Sequence, residues 1–168
     1  MMLRQLLLPQ LPVYTFAVLF CSCVSVGIDK PKVQHSSSVE FMAPSSPFEK
    51  FEAKNLDSAW KNSKNGNSIS YLSDCNTEND PSHEAILDGI VASVPHKKVL
   101  SSEMIQFNNR KALQAKVSGS VDGVETLFEV LVLKKNNCIY VLTYVGLNDS
   151  FKRDLSTFEK FKEGFKVP

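Results

Sequence analysis

Apolar and polar positions fall into three regimes along the chain. From Gln5 to Ile28 no residue is charged, and the richest apolar run is Val13 to Phe20. From Val24 to Pro47 the apolar residues thin out among Ser and Pro. From Phe48 onward the pattern becomes periodic and is broken by turn residues. In Ser68-Ile69-Ser70-Tyr71-Leu72, Ile69 and Tyr71 alternate with serines, which predicts a strand with those two side chains in a core. Asn65-Gly66 separates this run from Leu56–Lys61. Asn-Gly between strand-like runs predicts a hairpin, because both residues tolerate positive φ. Trp60 lies on the partner strand and is expected in the same core.

The segment from Pro81 to Val94 changes period. Ile86, Leu87, Ile90, Val91 and Val94 recur at helical spacing, with Asp80 as the expected N-cap, Pro81 at the first helical position and Pro95 as the stop. Three strand runs follow: Val99 to Phe107, Ala112 to Val121, and Val124 to Leu133. Asp122-Gly123 joins the second to the third as another tight hairpin. Asn136-Asn137 turns the chain into Cys138–Val145, whose core Ile139-Tyr140-Val141-Leu142-Thr143-Tyr144 is almost pure strand former. A last helix carries the stripe Phe151, Leu155, Phe158, Phe161 and Phe165. Asn148, Asp149 and Ser150 are its candidate caps, and Gly164 suits a left-handed end. Phe165-Lys166-Val167 is a candidate edge strand. The order predicts an α+β fold, an antiparallel β-sheet meander with helices packed on it. The helices take either one face each, as an α/β/α sandwich, or one face together.

The apolar N-terminus has the layout of an export signal: Arg4 at the start, a short apolar run and small residues after it. Cys23, preceded by Ser22, is the candidate lipid anchor of a bacterial lipoprotein signal. A cleaved signal without lipid and an uncleaved anchor are the alternatives. All three put the rest of the chain outside the cytoplasm. The expected domains are 1–23 as signal, 24–47 as a flexible linker of Ser and Pro composition in which Val39-Glu40-Phe41-Met42 is the one candidate for local packing, and 48–168 as the folded unit.

Charge adds an exclusion. Of 19 basic and 18 acidic residues, only Arg4 falls in the first 22 positions, so the remainder is formally neutral. A nucleic-acid binder carries a basic excess or stripe. Here the pairs Lys97-Lys98, Arg110-Lys111 and Lys134-Lys135 read as solvated strand and loop ends. No nucleic-acid partner is expected.

Two cysteines, Cys75 and Cys138, lie in the expected domain near sheet ends. An oxidising envelope favours a disulfide between them. Two buried free thiols, or a redox or metal role, are the alternatives. Candidate chemistry elsewhere is thin. Asp74-Cys75-Asn76-Thr77-Glu78-Asn79-Asp80 starts like a calcium loop, but Asn79 replaces the glycine and Ala85 the terminal glutamate. His35, His83 and His96 form no i, i+4 pair. No Gly-x-Ser-x-Gly turn, dinucleotide fingerprint or phosphate loop is present. No catalytic residue, metal or cofactor is expected.

The C-terminal third, Ile139–Tyr144 followed by a helix ending Phe158-x-x-Phe161-x-x-Gly164-Phe165-Lys166-Val167, resembles the PsbP-like group. That group includes extrinsic photosystem II subunits and bacterial envelope lipoproteins of the DcrB type. The resemblance covers about Phe48 to Val167. It implies a PsbP-like sandwich and a non-catalytic binding or assembly role, and it carries no functional residue to a numbered position. The expected function is a membrane-tethered extracytoplasmic module that engages an envelope protein partner through a sheet edge or exposed face. The alternative is a small-ligand or lipid-binding domain with an apolar pocket between sheet and helix. A hydrolase would need Asp74, Glu78 and His83 around a deep cleft.

Overall fold

The computed structural model describes residues 33–75 and 80–168. The expected signal, Cys23 and the first part of the expected linker lie outside them. Seven strands and two helices run in the order β1 (Phe48–Phe51), β2 (Ser58–Asn62), β3 (Ser68–Asp74), α1 (His83–Ile90), β4 (Lys98–Phe107), β5 (Arg110–Val121), β6 (Val124–Lys135), β7 (Cys138–Leu147) and α2 (Phe151–Gly164). The strands form one sheet in the order β1-β2-β3-β7-β6-β5-β4, with every neighbour antiparallel.

Turn chemistry sets the meander from β4 to β7. Asn108-Asn109, Asp122-Gly123 and Asn136-Asn137 each close a two-residue hairpin with both φ values positive. That backbone twist matches the twist of the flanking strands. The turn at Asn65-Gly66 is wider. Asn62 N–H donates to the Asn67 carbonyl at 2.8 Å, and only Gly66 has positive φ.

The helices cover opposite faces. Leu131 and Leu133 of β6 pack in the cluster under α2, with Tyr140, Leu142, Tyr144, Phe158 and Phe161. Their alternates Val130 and Val132 pack under α1, with Leu87 and Val91. The architecture is therefore the α/β/α arrangement. β6 is apolar at consecutive positions because both its faces are buried.

Several local expectations change. α1 begins at His83, capped by Ser82, whose hydroxyl accepts from Ala85 N–H at 3.1 Å. It ends at Ile90. Val91 and Val94 keep helical spacing but pack from turns, and Pro95 accepts from Ser120 N–H. Ser150 precedes α2, yet its hydroxyl donates to Asn67 Oδ1 at 2.7 Å instead of capping. Gly164 is not left-handed; a Cβ there would lie 3.2 Å from Met42 Cβ. Phe165–Val167 forms only a bridge, Lys166 with Glu40.

The expected flexible linker 24–47 is docked over its described part. Phe41 lies edge-on to Trp60, with ring centroids 5.5 Å apart, and tilted against Tyr71 and Phe161. Val39 packs on the same cluster. Cys75 N–H donates to the Gln34 carbonyl at 2.8 Å. A Ser/Pro composition predicts disorder when few apolar contacts exist, but one partly buried aromatic ring and a backbone bridge hold this arm. β1, which follows it, was not expected as a strand.

Candidate functional site

Of the expected chemical residues, Cys23 and residues 76–79 of the calcium-like loop lie outside the described residues, and the others have these positions. Cys75 and Cys138 are joined by a disulfide, at the end of β3 and the start of β7. Asp80 pairs with Lys134. His83 opens α1, with its Nε2 buried, and His96 sits in the turn before β4 with φ 53°. Glu78, one member of the Asp74, Glu78 and His83 cluster, lies outside the described residues. Among the described residues no group of three or more His, Cys, Asp and Glu side chains could hold a metal ion.

Sequence reasoning missed one polar cluster. His35 Nδ1 lies 3.2 Å from Asp57 Oδ1, and Ser73 Oγ donates to Asp57 Oδ2 at 3.1 Å. The residue types are those of a hydrolytic triad, but the order is not. Asp57 stands between the other two, and the fully buried Ser73 hydroxyl is spent on the carboxylate, not on the imidazole. Nucleophilic activation needs the serine hydrogen-bonded to the base. Ser36 N–H also donates to Ser73 Oγ at 2.7 Å, so the cluster fastens the arm to β3. Burial raises the pKa of Tyr71, with the Asp57 charge adding to it and a hydrogen bond with Ser58 opposing.

The β4 edge offers an accessible surface for binding. β4 is an outer strand of ten residues, against four in β1 at the other edge. Val99, Leu100 and Met104 are 48, 48 and 46% exposed. A bulge lies between Val99 and Ser101, leaving Ser101 to Phe107 in regular pairing with β5. On the α2 side of that stretch is an open cleft of about 410 Å³. Ile105, Phe107 and Phe165 give it apolar walls, and Gln114 and Lys162 form part of its polar lining.

The base of the cleft is a satisfied ionic group. Lys162 is 6% exposed and its Nζ lies 3.3 Å from Glu129 Oε1, 2.9 Å from Glu159 Oε2 and 3.1 Å from Gln114 Oε1. Gln114 Nε2 completes the ring by donating to Glu129 at 3.3 Å. With its three donors engaged, the ammonium group is a fixed support, not a vacant anion site.

Known structures share this fold. The solution structure of cyanobacterial PsbP (CyanoP) from Synechocystis superposes with a TM-score of 0.59 at 12% identity, over 89% of this chain and 99% of that one. LpqN, involved in cell envelope biogenesis of Mycobacterium tuberculosis, gives 0.57 at 13% identity, over 84% and 88%. PA94 from Pseudomonas aeruginosa, a protein of unknown function, gives 0.52 at 12% identity, over 82% and 86%. Neither a protein-family model nor a curated protein matches the sequence. The chain therefore has the PsbP-like α+β fold, a seven-stranded antiparallel sheet with two helices packed on it. Identities this low carry the fold and no residue role.

Proposed function

We propose that the protein is a non-catalytic, membrane-tethered extracytoplasmic module that binds an envelope protein partner along β4. The observation that carries this reading is the β4 edge, with its exposed Val99, Leu100 and Met104. An edge strand offers unpaired N–H and C=O groups to another chain, and flanking pockets select its side chains. The envelope assignment of LpqN and the disulfide favour the same compartment. A photoreactive residue at position 104, in cells that make the protein, should give a discrete crosslinked adduct. The same group at Asp88, on the exposed side of α1, should not. Equal labelling at both positions, or none at 104, refutes the reading.

A second reading is favoured by the cleft beside α2: a small amphipathic ligand between Phe107 and Phe165. Native mass spectrometry of the protein released from its membranes would reveal a retained small molecule. A Phe107→Glu variant that retains it equally well would dispose of the cleft as its site.

A further inference from the structure

Asn65-Gly66, in the turn between β2 and β3, is the single Asn-Gly pair in the chain. An asparagine followed by glycine is open to self-deamidation, because glycine puts no side chain in the way of its own backbone nitrogen. Gly66 is exposed, and a Cβ on it would meet nothing within 4 Å. The reaction needs only water and a base from solution. The Gly66 nitrogen gives up its proton and attacks Asn65 Cγ. A new N–Cγ bond closes a five-membered succinimide. The Cγ–Nδ2 bond breaks, and the side-chain nitrogen leaves as ammonia with a proton from water. A second water opens the ring at either carbonyl, giving aspartate or isoaspartate. The net change is amide plus water to carboxylate plus ammonium.

The fold engages each group that would react. Gly66 N–H donates to the Asn62 carbonyl at 2.9 Å. Asn65 Oδ1 accepts from Asn67 N–H at 3.0 Å, which fixes the side-chain amide about Cγ. Asn65 Nδ2 donates to Asp154 Oδ2 at 2.7 Å, so the leaving group is tied to α2. Removing the Gly66 proton requires its bond to Asn62 to open, the same event that amide hydrogen exchange reports. The product also differs from the reactant where it matters. A carboxylate replaces the donor that faced the Asp154 carboxylate, so attraction becomes repulsion. Isoaspartate further lengthens the backbone of the turn by one methylene.

We propose that Asn65-Gly66 is a modification site guarded by α2. The closed turn suppresses deamidation, and a chain that opens there is marked covalently and no longer closes the Asn65–Asp154 contact.

The test holds the full chain at mildly alkaline pH, folded and in denaturing urea, and follows conversion at residue 65 by peptide mapping with mass spectrometry. In denaturing urea residue 65 should convert ahead of the other asparagines. In the folded protein it should convert at least about tenfold more slowly. Across sub-denaturing urea concentrations, conversion and Gly66 amide exchange should rise by the same factor. Asp154→Ala, which removes the acceptor on α2 and leaves Asn65-Gly66 in place, should speed conversion in the folded protein about tenfold. Asn65→Asp, the aspartate product made directly, should raise the unfolding equilibrium constant about tenfold. Equal conversion in folded and unfolded protein overturns the proposal, as does conversion that stays flat while Gly66 exchange rises. Both are read on the unaltered chain, so they stand whether or not a variant folds. A folded Asp154→Ala protein converting at the unaltered rate overturns the part given to α2. An Asn65→Asp protein of unaltered stability overturns the mark.

Discussion

The carboxylate of Asp154 accepts from the fully buried amide of Asn67 at 2.8 Å, tying the turn between β2 and β3 to the first turn of α2. Asn62 and Asn65 donate to the same oxygen at 2.9 and 2.7 Å. Asn67 also donates to Tyr144 Oη and to the Ser150 carbonyl, and accepts from Ser150 Oγ. Replacing Asn67 by Ala strands several buried partners at once. The variant should lose about 2–4 kcal/mol in urea unfolding. A loss below that of an ordinary surface substitution would show that the network does not hold α2.

Lys162 and Glu129 form a buried pair, 6 and 7% exposed. Removing one partner leaves a charge without compensation, so Glu129→Ala should cost about 3–5 kcal/mol. Replacing both together, Glu129→Leu with Lys162→Met, should recover most of that loss. A double-mutant cycle on chemical unfolding measures the coupling. Additive costs would mean that the pair is not coupled through its charges.

Two glycines should respond in opposite directions. A Cβ at Gly146 would lie 2.5 Å from Asn67 Oδ1 and 3.3 Å from the Phe151 backbone, so Gly146→Ala should destabilise by about 1–3 kcal/mol. Gly89, inside α1, has nothing within 4 Å of such a Cβ. Gly89→Ala should stabilise by about 0.5–1 kcal/mol. Thermal unfolding of the two variants checks both signs.

Tyr144 and Tyr71 make the fold sensitive to alkali. Burial raises the Tyr144 pKa, helped by the Asp154 and Glu129 charges and opposed by a hydrogen bond with the Asp154 backbone. Its hydroxyl donates to the Phe151 carbonyl at 2.6 Å. Tyr71 is raised for similar reasons. A folded-state pKa above the unfolded value of about 10 contributes stability that is fully present below pH 10. It is lost as the pH rises from there toward the folded values. Unfolding free energy should therefore fall above about pH 10. Tyr144→Phe should be less stable at neutral pH and show a shallower alkaline slope. A wild-type slope in that variant would remove Tyr144 as a cause.

The Cys75–Cys138 bridge spans a sequence separation of 63. Closing a loop of that size restricts the unfolded chain by about 4 kcal/mol. Reduction should lower the thermal midpoint accordingly, and Cys75→Ala with Cys138→Ala should match the reduced protein. Equal midpoints with and without reductant would count against the bridge.

The sheet was largely legible because Asp122-Gly123 and Asn136-Asn137 announce its turns and the runs between them alternate or stay apolar. α1 was overdrawn to Val94 because Val91 and Val94 face the same core from turns, and burial at helical spacing does not require helical backbone. The arm was misread because composition counts residues, whereas Phe41 contributes through where it lands, between Trp60, Tyr71 and Phe161. The β4 edge was hidden for a different reason. β7 inserts beside β3, a pairing between residues far apart in sequence, and only that insertion leaves β4 outermost.

The docked arm also has a mechanical meaning. Tension arriving along the N-terminus meets the Gln34–Cys75 and Glu40–Lys166 bonds and the wedged ring of Phe41 before it reaches β1. β1 is a four-residue strand whose antiparallel ladder could be peeled one bond at a time. A pull applied at the start of the described chain would therefore load these contacts before the β1–β2 ladder.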